Sequence, residues 1–62
     1  MLKADQERWA EAATIMRQHG ADAPRWVAER IGTLAVAGDV AGVKRFREIA
    51  RRIEQILSGT AQ

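Results

Sequence analysis

HGADAPRWVAERIGTLAVAGDV, residues 19–40, decides the fold. At either end of this stretch a glycine is followed closely by an aspartate, Gly20 by Asp22 and Gly38 by Asp39. A glycine past a helix end supplies the left-handed residue that closes the last carbonyls, and an aspartate just after it accepts from the free amides of the next helix. The pair therefore reads as stop then start, twice. Pro24 sits in the first turn after Asp22, where its missing amide hydrogen costs nothing and its fixed φ suits a helix. These breakers, with Gly59 near the end, cut the chain into three helices, expected from about Ala4 to Gln18, from Ala23 to Ala37 and from Val40 to Leu57. Apolar residues recur at three and four rather than at two, and alanine is abundant, so the fold class is all-α. Such short connections predict roughly antiparallel neighbours. They form either a compact three-helix bundle or a helical hairpin crossed by a third helix.

The 62 residues make one small domain, below the size at which a single core usually supplies comfortable stability without staples. Met1–Lys3 and Ser58–Gln62 are expected to fray. The composition is globular, with 47% apolar residues and a net charge of +2. Without cysteine there is no disulfide framework and no thiolate metal site, and a lone histidine builds no imidazole cluster. No cofactor or metal is expected. Asp5, Glu7, Arg8 and Glu11 interrupt any signal-peptide core, and no apolar run approaches the roughly 18 residues of a membrane span. The expectation is a soluble, cytoplasmic chain with no membrane partner.

Projected at about 100° per residue, each helix shows a stripe to bury. Helix 1 aligns Leu2, Trp9, Ala12, Ala13 and Met16. Helix 2 aligns Val27, Ala28, Ile31, Leu34 and Ala35. Helix 3 has the widest face, Val43, Phe46, Ile49, Ala50, Ile53, Ile56 and Leu57, and is the expected central packing element. Ile15, Trp26 and Val36 fall off these stripes. Antiparallel helices 1 and 2 would bring Ile15 and Trp26 to one height, where they widen the seam or, with Val36 and the Ile49/Ile56 edge of helix 3, form an apolar patch for a second copy.

The charge is uneven. Helix 3 and its cap hold Lys44, Arg45, Arg47, Arg51 and Arg52 against Asp39, Glu48 and Glu54, so the whole positive excess sits there. A basic last helix in a three-helix unit has the outline of a DNA reader. Against that, Glu48 lies three and four residues from Arg45, Arg51 and Arg52, where intrahelical pairs would neutralise much of the face. Only Gln55 is suited to reach base edges.

No catalytic constellation emerges. His19 precedes Gly20 at the end of helix 1 and is expected to cap that helix, favoured by its dipole. The hydroxyls are Thr14, Thr33, Ser58 and Thr60, and no triad can be assembled from them. Glu7 and Glu11 read as solvent-facing partners of Arg8 and other basic side chains. Gly38, Asp39 and Gly42 lack the preceding strand and the following Lys-Ser/Thr of a phosphate loop. The chain reads as a non-enzyme without a small-molecule substrate.

His19-Gly20, Ala23-Pro24, Val27 through Gly32, Leu34-Ala35, Gly38-Asp39, Ala41-Gly42 and Arg47 through Ala50 together resemble a group of short, uncharacterised bacterial proteins, mostly proteobacterial, classed as a domain of unknown function. The resemblance covers about half the chain and carries no catalytic residue onto it. It implies a stand-alone small protein. Phe46 stands where that group often has Trp. Independently of it, Gly32 and Gly42 are glycines inside helices, each costing roughly 1 kcal/mol against Ala. Gly32 lies off the main stripe of helix 2, where a close backbone approach would involve another chain.

The first functional expectation is thus a protein–protein interaction module, self-associating with a dimer favoured. Its candidate interface is Ile15, Trp26, Gly32, Val36, Ile49 and Ile56. The second is a nucleic-acid binder using Lys44, Arg45, Arg47, Arg51 and Arg52, with an acidic protein as a further partner for the same residues.

Overall fold

The computed structural model describes residues 2–59 and, at Leu2, the backbone alone. Met1 and Thr60–Gln62, with the fraying expected of them, lie outside the described residues, as does the Leu2 side chain placed on the helix 1 stripe. Helix α1 spans Leu2–His19, α2 Ala23–Val36 and α3 Val40–Ser58, with a single 3-10 turn, Gly20–Asp22, between the first two. The boundaries fall within two residues of those read from the sequence, and no strand occurs among the described residues.

The two breakers do different things. At the second, Gly38 takes φ +78°, its amide donates to the Ala35 carbonyl at 3.1 Å, and the Asp39 amide donates to the Leu34 carbonyl at 2.9 Å. Those two bonds close a helix end and reverse the chain. Asp39 then accepts from the Gly42 amide at 2.9 Å, the cap expected of it. At the first breaker Gly20 also takes positive φ, +56°, but Asp22 keeps helical backbone angles and makes no capping bond. Its carboxylate is turned to Arg25 instead. An aspartate caps from an extended backbone, which the 3-10 turn denies it. The chain therefore bends from α1 into α2 without a full reversal, and the expected antiparallel pairing of these two helices is not formed.

The antiparallel pair is α2 with α3. Pro24 shares a cleft with Ile53 and Glu54 at one end, and Ala35 shares one with Val40 and Val43 at the other. Helix α1 lies over this hairpin. Its N-terminal half meets α3 through Asp5, Arg8 and Glu11, and its C-terminal end meets α2, where His19 stacks on Trp26 with ring centroids 4.5 Å apart. The pairs Asp5–Arg52, Arg8–Glu48 and Glu11–Arg45 run in opposite order along the two helices, so this part of α1 lies antiparallel along α3, the element on which both other helices pack.

Six residues form the buried core: Ala12 and Ile15 from α1, Ala23 and Val27 from α2, Ile49 and Ile53 from α3. Met16, Trp26, Ile31, Phe46 and Ala50 pack around them. Ile15 is a core residue and not an off-stripe one. The wheel of α1 is dominated by alanines, which barely distinguish its sides, and the face that buries Ile15 is the one that also carries Arg8 and Glu11 to α3. On α2 the buried line runs through Ala23 and Val27, leaving Ala28 and Ala35 exposed. Ile56 and Leu57, expected inside, are 37% and 53% exposed. The first turn of α2 is level with Ile53 and Glu54, so the last turn of α3 runs past it.

Full burial of an Ile or Val side chain contributes about 1.5–3 kcal/mol, and a domain of this size holds only several kcal/mol in total. Ile53→Ala is therefore expected to cost about 2–4 kcal/mol. Urea titration followed by far-ultraviolet circular dichroism should find little or no folded baseline. The glycines supply a finer test. A methyl group at Gly32 meets nothing within 4 Å, whereas one at Gly42 would stand 2.6 Å from the capping carboxylate of Asp39. Gly32→Ala is expected to stabilise by about 0.5–1 kcal/mol, and Gly42→Ala to fall below it by about 1 kcal/mol as its cap is displaced. Equal gains in the two unfolding midpoints would contradict this account.

Candidate functional site

Helix α3 divides its circumference among three tasks. Phe46, Ile49, Ala50 and Ile53 face the core. Arg45, Glu48 and Arg52 face α1. Val40, Lys44, Arg47 and Arg51, at spacings of four, three and four, form the remaining flank, within an arc of about 60° opposite Ile49. Two surfaces result.

The first is an apolar groove of about 280 Å³ where α1 and α2 part over α3. Ile15, Trp26, Phe46 and Ile49 line it, with Ala10, Glu11 and Thr14 at the α1 side. Trp26 is half-buried and held on two sides, stacked on His19 and tilted against Phe46 with centroids 6.3 Å apart. His19 thus serves the groove. Among the described hydrogen bonds its imidazole caps no carbonyl, because the ring is turned onto the indole. Thr14 accepts from Arg17, and Thr33 donates to the Glu29 carbonyl, so both hydroxyls are bonded locally.

The second surface follows from the ion pairs. Arg52 binds Asp5, Arg8 binds Glu48 at 2.9 Å and Glu11 at 3.2 Å, and Arg45 binds Glu11. Glu48 is therefore taken across the helix interface by Arg8, and the intrahelical neutralisation expected of it does not form. A guanidinium approaching from α1 meets Glu48 in a half-buried setting, better shielded from water than the outer flank. Arg45 and Arg52 leave the candidate basic surface by the same route. Arg52 also lies 5.4 Å from the Trp9 ring centroid, and its Nε is buried without an acceptor. A cation over an indole face partly offsets that loss. Lys44, Arg47 and Arg51 stay exposed and enter none of the ion pairs among the described residues. They line a cleft of about 370 Å³ with Val40, Val43 and Glu48.

The six candidate interface residues are not one patch. Ile15, Trp26 and Ile49 come together at the groove, with Ile15 and Ile49 enclosed in this chain's own core. Gly32 and Val36, the latter 91% exposed, lie on the outer face of α2, and Ile56 is in the last turns of α3. Sequence reasoning missed Phe46 as a groove residue because it read Phe46 only as core. It also missed Val40, 80% exposed. The signal for Val40 was present, since it precedes Lys44, Arg47 and Arg51 in one helical row. Among the described residues no group of three or more acidic or histidine side chains converges to hold a metal ion, and no helix is long and apolar enough to cross a membrane.

No curated protein and no solved structure matches the chain. A family model does, over residues 4–61, nearly the whole sequence and well beyond the half that carried the resemblance. With its bent α1–α2 run laid over an α2–α3 hairpin, the chain belongs to a family described as a family of unknown function, DUF6961.

Proposed function

We propose that the chain is a small protein–protein interaction module that works as a homodimer, joined at the groove over Trp26. The observation that carries this reading is the groove itself: Ile15, Trp26, Phe46 and Ile49 line an apolar opening in a chain whose described core has six residues, two of them alanine. Ile15 and Ile49 are already enclosed, so a second body would bury chiefly the exposed parts of Trp26 and Phe46, adding apolar area to a domain of this length. A second copy is the simplest such body, because a two-fold contact sets the same groove and the same rim against each other. The aromatic members are suited to it, since Trp and Phe supply large contact area with few rotatable bonds and are common interface anchors.

The reading includes no catalytic chemistry. In support of this, the single histidine is stacked on Trp26 and the hydroxyls of Thr14 and Thr33 are occupied within their helices. The setting proposed is cytoplasmic, which suits a sequence without cysteine.

Light scattering at about 10 and about 200 μM, a range spanning ordinary homodimer affinities, is expected to give twice the mass of one chain at the higher concentration. Ala10→Arg tests the groove without touching the core, because Ala10 is exposed at its rim. The variant should keep its helical circular dichroism and weaken dimerisation by about tenfold or more. A monomeric wild type at the higher concentration overturns the homodimer, and an Ala10→Arg dimer of unchanged affinity overturns the groove as its seat.

A further inference from the structure

We propose that the free flank of α3, the row Val40, Lys44, Arg47 and Arg51, is a docking surface for an acidic amphipathic helix of a partner protein. It is separate from the groove, on the opposite side of α3, and does not depend on the homodimer.

Three observations lead to this occupant. The first is uncompensated charge. The anions that would serve the row are engaged elsewhere, Glu48 with Arg8 and Asp39 with the Gly42 amide. Glu54, three residues after Arg51, forms no ion pair with it among the described residues. Lys44, Arg47 and Arg51 thus present three cations along about 10 Å of one rigid helix. The second is the lining between them. Val40 is 80% exposed and Val43 lies beside it in the same cleft of about 370 Å³, where the one carboxylate, Glu48, is paired with Arg8. Aliphatic side chains are poor neighbours for phosphate and good ones for a leucine or isoleucine. A nucleic-acid backbone would use the cations and waste the valines, and its base edges would find only Gln55 nearby. A helix with carboxylates at i, i+3 or i+4, and i+7, and an apolar residue among them, uses both.

The third observation excludes this chain as its own partner. None of its described helices carries such an acidic row. Glu7 is exposed and outside the ion pairs among the described residues, but it stands alone on α1, since Glu11 is held by Arg8 and Arg45; Asp5 is held by Arg52 and Asp22 by Arg25. The outer face of α2 alternates Arg25 and Glu29 with Gly32 and Val36. The occupant is therefore a different protein.

The test uses the full chain and three probes: a fluorescein-labelled helical peptide with Glu at i, i+4 and i+7 and Leu between, its Glu→Gln counterpart, and a generic 20-base-pair DNA duplex. Fluorescence anisotropy is expected to show saturable binding of the acidic peptide alone. It should weaken about tenfold or more in the double variant Arg47→Glu, Arg51→Glu, and about threefold in Val40→Gln. All substituted positions are exposed, so circular dichroism should match wild type. No saturable binding of the acidic peptide overturns the proposal, and so does a double variant that binds it as well as wild type. Duplex binding that displaces the peptide and ignores Val40→Gln overturns it in favour of nucleic acid.

Discussion

Everything in this fold leans on the side chains of Ile49 and Ile53. They are the two largest fully buried groups, each about 1% exposed, and they belong to the one helix with an apolar face wide enough to serve two neighbours. Helix α2 brings Ala23 and Val27 to them and α1 brings Ala12 and Ile15. The alanines allow close approach and add little area of their own. Neither α1 nor α2 has a face that would hold the other without α3, so both pack chiefly on α3 and less on each other.

Apolar contact at such a core says that α1 must lie on α3, without by itself fixing how it is rotated. Burial of Ile15 and a row of ion pairs on the same side of α1 fix the rotation together. The row Asp5, Arg8, Glu11 meets Arg52, Glu48, Arg45 with each sign opposite its complement. Each pair, near the surface, is worth only a few tenths to about 1 kcal/mol. Their value lies in selection, because rotations that bury similar area are separated by which of them leaves carboxylates facing carboxylates.

This is also the limit of what was legible in the sequence. Gly38 and Asp39 announced a helix end, a reversal and a cap, and all three formed, because both residues act on backbone groups a few positions away. Gly20 and Asp22 carry similar letters and gave a bend, since the turn between them kept helical angles and left the carboxylate to Arg25. The helices were legible because their period is local. Ile15 was misplaced because a wheel built on alanine has no strong side, and Glu48 was misassigned because its nearest basic residues in sequence were not its nearest in space. Leu57 and Ile56 lie on the apolar face as projected, but nothing in a wheel says where the neighbouring helix begins. Of the candidate site residues, Lys44, Arg47 and Arg51 are exposed on one flank of α3, at spacings the sequence already shows. Trp26 and Ile15 line one groove, but the antiparallel pairing of helices 1 and 2 that was expected to bring them there is not formed.

The two open surfaces share one origin. Where α1 and α2 part over α3 the groove opens beside Trp26, and on the other side of α1 Glu48 is drawn to Arg8 from the row that it would otherwise neutralise. A carboxylate at 2.9 Å from Arg8 gains more from that partner than from Arg47 or Arg51 in open water, where solvent screens the attraction. The apolar groove and the bare cationic flank are thus consequences of a single helix placement. That placement is held by Ala12 and Ile15 in the core and by the ion pairs of the same helix face.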